Sequence, residues 1–334
     1  MAETLRPTPR PLVDGFGRVH RDLRISITDR CNFRCTYCMP EEGLAWLPRS
    51  ELLSYEEIER LVRLLVDRYR FESVRLTGGE PTVRAHLSEL VRRLSRLGID
   101  VALTTNGATL RLIADDLAAA GLRRINVSLD TLRHDRFIEI SRRDALEQVV
   151  DGIDAAVEAG LRPVKVNTVL MRGINDDELL DFARFGREHG VVVRFIEFMP
   201  LDAQDEWSSD RVVPAGEIVA AISAEFPVEP VARGSEPAEV FRYLDGGGEI
   251  GVIASVTEPF CGSCDRVRLT ADGQLRTCLF SLDEVDLRAV IRSGGSDDEL
   301  AEVIERAIAG KWAGHAIGQV TFIRPRRSMS QIGG

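Results

Sequence analysis

The residues best suited to chemistry in this chain are six cysteines in two groups of three: Cys31, Cys35 and Cys38 on one loop, and Cys261, Cys264 and Cys278 far downstream. Three thiolates are one ligand short of a tetrahedral zinc or a cubic iron-sulfur cluster, so each triad would leave a metal position open to another ligand. Zinc loops bring cysteines in pairs two residues apart, and the bacterial ferredoxin run spaces them evenly. The Cys-x3-Cys-x2-Cys pattern of the first triad matches neither. The second triad is a Cys-x2-Cys pair followed by a single cysteine across a turn expected at Asp272-Gly273. A fourth ligand from His315 would make it a Cys3His zinc site.

Composition bounds what else the chain can be. With 334 residues, 44% of them hydrophobic, it has enough apolar surface for one large domain with an appendage or for two domains. The formal charge of -10 argues against general nucleic-acid binding, and Lys165 and Lys311 are the only lysines. Any phosphate must therefore be met by a local arginine pocket rather than a basic face. No apolar run approaches a membrane span, and Met1 to Val13 has no apolar signal core, so a cytoplasmic location is expected. Reduced thiols in that compartment serve metals or catalysis more often than disulfides.

The elements that must position these residues follow a regular beat. Residues 1–21 are rich in Pro, Arg and Gly and suggest an extended arm. Strands are then expected at Leu23–Thr28, Val74–Thr77, Val101–Thr105, Ile125–Leu129, Val164–Leu170 and Val192–Phe198. Helices are expected between them at 54–70, 87–97, 110–120, 145–159 and 177–189. Ser54 with Glu57 has capping-box spacing, and Gly98, Gly121, Gly160 and Gly190 stand at helix ends. Such alternation predicts an α/β fold with a parallel sheet.

The unusual residues follow strand ends: the first cysteine loop, Gly78-Gly79-Glu80-Pro81, Thr104 to Gly107, Ser128 to Asp130, and Glu197 to Met199. Loops at the carboxyl ends of strands are where barrels and open α/β sheets place their sites. After Pro200 the beat fails, and 201–334 is expected to form a smaller α+β domain with a helix near 217–226. Arg266 and Arg268 alternate along one strand there and so share a face, as paired phosphate ligands or as solvated strand arginines. Lys165, inside the apolar run 164–169, faces either solvent or an interior that must supply an anion.

The segment Cys31-Asn32-Phe33-Arg34-Cys35-Thr36-Tyr37-Cys38 resembles the signature of radical S-adenosylmethionine (SAM) enzymes. Together with Leu76 to Pro81, Arg123 to Asp130, Arg194 to Met199, the second triad and Gly333-Gly334, the chain from about Asp22 onward is similar to the GTP cyclase family of molybdenum-cofactor biosynthesis. The resemblance implies an incomplete (β/α)6 TIM-like barrel at 22–200 and an auxiliary-cluster domain at 201–334. It implies two 4Fe-4S clusters, on Cys31, Cys35 and Cys38 and on Cys261, Cys264 and Cys278, with SAM contacted by Tyr37, Gly79, Ser128 and Met199.

GTP would be held by Arg24, Arg75, Thr104, Lys165, Arg266 and Arg268, with Arg194, Arg266 and Arg268 in the catalytic pocket. Hydrogen abstraction at the ribose 3′ carbon and attack on guanine carbon 8 would then give a cyclised dihydro-GTP. The same resemblance implies an electron donor, a following enzyme that takes the product, a Gly-Gly tail reaching the active site, and room for a homodimer. Ser73 stands where the family often has a lysine. The competing expectations are another radical SAM enzyme with an auxiliary cluster, such as a peptide maturase, and a non-enzymatic iron-sulfur or zinc protein.

Overall fold

The computed structural model describes residues 8–201, 207–232 and 234–333. Six parallel strands form the centre of one twelve-stranded sheet: β1 (Asp22–Ser26), β2 (Ser73–Thr77), β3 (Asp100–Thr105), β4 (Arg124–Ser128), β5 (Val164–Leu170) and β6 (Val192–Glu197), side by side in chain order. Parallel strands need crossovers, and the helical segments between them supply these. Helix α1 (Tyr55–Tyr69) begins at Ser54, whose side chain accepts from the Glu57 amide while Glu57 reaches back to the Ser54 amide. Its Ile58, Leu61, Val62 and Leu65 lie on one buried stripe against the sheet. Helix α2 is Leu87–Ser95.

Two crossovers differ from the sequence expectation. The helix expected over 110–120 is a 3-10 turn at Leu110–Leu112 and then α3 (Ala114–Ala119), broken at Ile113. Between β4 and α5 (Leu146–Glu158) lies an extra helix, α4 (His134–Ser141). Too short to show a clear period, α4 is fixed by tertiary contacts instead: Phe137 meets Phe33 edge-on at 5.9 Å. Helix α6 (Leu179–His189) closes the last central crossover.

The C-terminal part is joined to this centre by continuous sheet at both edges. After α7 (Ala215–Glu225) come β7 (Val228–Pro230), β8 (Glu239–Tyr243) and β9 (Glu249–Ile253), and β9 pairs parallel to β6. At the opposite edge β10 (Arg266–Leu269) pairs parallel to β1, with β11 (Gln274–Arg276) and β12 (Val285–Asp286) beyond it. Six strands leave two edges of unpaired amides and carbonyls, and the C-terminal strands cover both. Helices α8 (Leu287–Arg292), α9 (Asp297–Ala309) and α10 (Met329–Ile332) follow. The N-terminal segment is not extended throughout. Leu12–Val13 and Val19–His20 pair as a hairpin turned at Gly17, whose φ of 78° suits a residue without Cβ.

Candidate active site

The first cysteine loop hangs from its neighbours by its backbone. Arg34 and Thr36 amides each donate at 3.0 Å to the carbonyls of Ser141 and Ile140, the last turn of α4. Beneath it, the Gly79 and Glu80 amides donate at 2.7 Å to Thr28 and Arg30. A Cβ on Gly78 would lie 2.5 Å from the Thr28 carbonyl and one on Gly79 2.4 Å from that of Arg30, so two backbones meet where only glycine fits. Buried Glu80 ties the loops together, accepting from the Thr82 hydroxyl and the Thr105 hydroxyl, both at 2.7 Å, and from the Asn106 amide at 2.6 Å.

The sulfurs of this loop face a shared cavity. Cys31 Sγ receives the Phe33 amide at 3.4 Å and Asn106 Nδ2 at 3.9 Å, and the Ser330 amide is directed at Cys38. Burial pushes the Cys31 thiol up to about 11 and Cys38 up to about 12, and raises Cys35 as well.

The second triad enters the same cavity from the other side. Buried Glu197 at the end of β6 accepts from the Val256 and Thr257 amides at 2.7 and 2.8 Å, fixing the segment that leads to Cys261. Cys278 Sγ receives the Phe280 amide at 3.5 Å. Burial alone would raise Cys264, yet Arg266 and Lys311 outweigh it and bring it down to about 7. Among the described residues no three His, Cys, Asp or Glu side chains converge on one point as a single metal ion requires. His315 instead packs its ring on Phe280 at 5.1 Å. A cubic cluster takes one thiolate on each of three irons, so its ligands spread around it, and reduced thiols receiving N–H donors suit that group at both triads.

Between the triads lies a cationic face. Arg268 on β10 stands opposite Arg24 on β1, and Arg24 opposite Arg75 on β2. Arg194 donates from Nε to Asn167 at 2.9 Å and from Nη2 to Asn126 at 2.8 Å, and Asn126 donates to the Thr104 hydroxyl at 3.1 Å. Burial and the neighbouring guanidiniums lower Arg24 to about 9 and Arg194 to about 10, and depress Arg268 further. The Nε atoms of Arg24, Arg75 and Arg266 are buried without a hydrogen bond, and the Asp22 carboxylate, 3.8 Å from Arg24 Nε, is held below its ordinary value by these three arginines against its own burial.

The chain's end is seated in this cavity. Arg268 Nη1 donates to the Gly333 carbonyl, Ile332 is 1% exposed, and Met329 and Ser330 line the cavity wall. Gly334 lies outside the described residues. Near the first triad, the Tyr37 hydroxyl donates to buried Asp130 at 2.6 Å, and the Val169 amide donates to the same carboxylate at 2.8 Å.

Family comparisons agree with this geometry. The Radical SAM superfamily model matches residues 25–186, and the Molybdenum Cofactor Synthesis C model matches 191–317. A GTP 3',8-cyclase of Streptomyces coelicolor is 52% identical over 330 residues, covering 97% of this chain and 96% of that protein. The chain belongs to the GTP 3',8-cyclase family. A second family member, from Rhodopirellula baltica, is 50% identical over 333 residues, covering 98% of this chain and 93% of that one.

Among solved structures, Streptococcus suis SuiB has a TM-score of 0.63 at 13% identity, over 88% of this chain and 68% of SuiB. SuiB bound to precursor peptide SuiA has a TM-score of 0.60 at 14% identity, over 81% of this chain, which spans 64% of that chain's length. At that identity the likeness concerns the fold alone.

For a GTP 3',8-cyclase family member, the sequence-level candidates converge closely. Arg24, Tyr37, Arg75, Gly79, Thr104, Ser128, Arg194, Met199, Arg266, Arg268 and all six cysteines border one cavity. Lys165 does not border it. It lies on the same face of β5 as Asn167, one turn of the pleat lower, and pairs with Glu236 at 3.3 Å. Asn106, Asn126, Asp130 and Asn167 escaped the sequence reading of the site, although Asn106 and Asp130 sit within strand-end motifs. Only Asn126 and Asn167 carried a hint, as amides in otherwise apolar buried strands.

Proposed function

We propose that this chain is a radical SAM GTP 3',8-cyclase that converts GTP to 3',8-cyclo-7,8-dihydro-GTP in molybdenum-cofactor biosynthesis. The observation that carries the reading is the row Arg268, Arg24 and Arg75 between two cysteine triads, with Nε of Arg24 and Arg75 buried without a hydrogen bond and Asp22 the carboxylate beside them. Burying several like charges together is costly unless a polyanion joins them, and a triphosphate supplies both the charge and the acceptors.

The first triad would hold a 4Fe-4S cluster and the second triad another. When bound, the first cluster and SAM supply the one-electron chemistry that removes hydrogen from the ribose 3′ carbon. Tyr37, Gly79, Ser128 and Met199 border the side of the cavity where SAM would lie. Arg24, Arg75, Thr104, Arg266 and Arg268 would grip the nucleotide, with Arg194 held in place by Asn126 and Asn167, while Lys165, outside the cavity lining, would reach the phosphates only by leaving Glu236. Cys261, Cys264 and Cys278 would hold the second cluster on the side of the cavity where the guanine ring would lie. The cavity, lined in part by Met329 and Ser330 of the tail, would hold the ribose beside SAM, because orientation and exclusion of water carry such a reaction. The reading also requires an external electron donor and a following enzyme for the product.

The test is anaerobic: reconstitute the protein with iron and sulfide, add SAM and dithionite, and measure 5′-deoxyadenosine with and without GTP. GTP should stimulate its formation and be consumed to a cyclised product. Deoxyadenosine formation indifferent to GTP would overturn the substrate assignment. Among the described residues no helix is long and apolar enough to cross a membrane.

A further inference from the structure

Of the two lysines in this chain, Lys311 stands outside the cavity lining, behind the second triad. Lys311 follows α9, is 4% exposed, and directs its ammonium at three acceptors. These are the Arg266 carbonyl at 2.8 Å, His20 Nδ1 at 3.4 Å and Cys264 Sγ at 3.6 Å. An ammonium has three N–H bonds and no lone pair, so the three contacts use all of its hydrogens. His20 Nδ1 must then accept, which leaves the proton on Nε2 to face Asp14 Oδ2 at 3.1 Å. Asp14 in turn takes Arg18 Nε at 2.6 Å, and Arg18 Nη1 donates to the Cys261 and Ala313 carbonyls, both at 2.8 Å. A buried chain of polar groups thus runs from the N-terminal hairpin to two members of the second triad.

We propose that Lys311 is the positioning residue of the second cluster: it holds the Cys264 sulfur in place with a charge-assisted hydrogen bond, while Asp14, acting through His20, holds Lys311. Arginine serves nearly every other cationic role in the chain, yet its planar fork cannot meet three acceptors arranged around one nitrogen. A positive group at a ligating sulfur stabilises the more negative, reduced cluster, and an anion behind it opposes that effect. Lys311 would therefore set the potential at which the second cluster operates, with Asp14 as the counterweight.

This inference rests on the second triad holding a cluster. The experiment compares wild type with Lys311→Met and Asp14→Asn, each reconstituted anaerobically, for iron content and for the reduction potential of the second cluster followed by electron paramagnetic resonance. Far-UV circular dichroism and the first cluster's spectral response to SAM report folding. If wild type binds only about four iron atoms per chain, the cluster reading itself fails. If it binds about eight, Lys311→Met should move the second potential in the negative direction and Asp14→Asn in the positive direction.

Coincident potentials, or shifts of the same sign, would overturn the role of Lys311 and leave the cluster reading intact. Should Lys311→Met not retain the second cluster, Asp14→Asn decides alone. A positive shift then supports the inference, and no shift or a negative one overturns it.

Discussion

Arg24 and Arg75 stand opposite one another on neighbouring parallel strands, both with Nε buried and without a hydrogen bond. Burial first and then their cationic neighbours lower Arg24 to about 9 and Arg75 to about 10. Asp22, whose Oδ2 lies 3.8 Å from Arg24 Nε, offsets part of this repulsion, and the protein bears the remainder as lost stability. Replacing both members of a buried ion pair by neutral groups of similar volume can stabilise by about 1–4 kcal/mol, whereas removing one member alone costs about 3–5 kcal/mol. The double variant Arg24→Met with Asp22→Asn, which removes the pair together, is therefore expected to melt higher than wild type without GTP and to lose most of the stabilisation that added GTP gives wild type. A lower melting temperature in the absence of GTP would contradict the repulsion argument.

Asp130 gives a pH signature. Burial raises its carboxyl to about 6, above the ordinary value of an unfolded aspartate. A raised carboxyl contributes its stability while protonated, below the unfolded value, and that contribution is lost as pH rises through about 6. Asp130→Asn cannot ionise and can still accept the Val169 amide. Its melting temperature should exceed wild type at pH 8, by roughly 1–3 kcal/mol in stability, and the gap should narrow toward pH 5. Parallel melting curves across that range would rule out the ionised, buried carboxylate.

Glu236 supplies a second anion to the cationic face, beside the Asp22 carboxylate that lies 3.8 Å from Arg24 Nε. It contacts Lys165 at 3.3 Å and Arg124 at 3.9 Å and is drawn below its usual range, against its own burial, by Lys165 and Arg194. If the triphosphate reaches Lys165, this carboxylate competes with it. Glu236→Gln should then bind GTP roughly two- to tenfold more tightly by calorimetry, a gain of up to about 1.4 kcal/mol. An unchanged dissociation constant would place the phosphates away from Lys165.

At the tail, Gly333 has φ of 79°, and a Cβ there would meet Thr77 Cγ2 at 2.7 Å. Gly333→Ala should cost about 1–3 kcal/mol of local strain and lift the carbonyl from Arg268. The expected result is roughly tenfold less product per 5′-deoxyadenosine formed, with SAM cleavage itself retained. Equal losses in both would mean that the tail acts on folding rather than on the nucleotide.

The second triad can be probed by Cys278→Ser, which should leave SAM binding intact while abolishing productive use of GTP. Unchanged turnover would remove Cys278 from the ligand set.

The sequence by itself determined the alternating strands and helices, because the periods of 2 and 3.6 in apolar residues are local properties of the chain. It also marked the strand-end motifs and the cysteine triads, whose spacing is a covalent fact. What it could not disclose lies between segments distant in the chain. Helix α4 is fixed by Phe33 and the cysteine loop rather than by its own eight residues. The place of Lys165 was decided by the pleat of β5 and by Glu236, 71 residues away. Gly333, one residue from the end, is ordered by Arg268 across 65 residues.

The row of Arg268, Arg24 and Arg75 exists only once β10 pairs with β1 in register, joining a C-terminal strand to the first strand of the barrel. Local propensity chooses elements, whereas register and edge pairing choose which of their side chains meet, and those choices are made by the burial of the whole sheet.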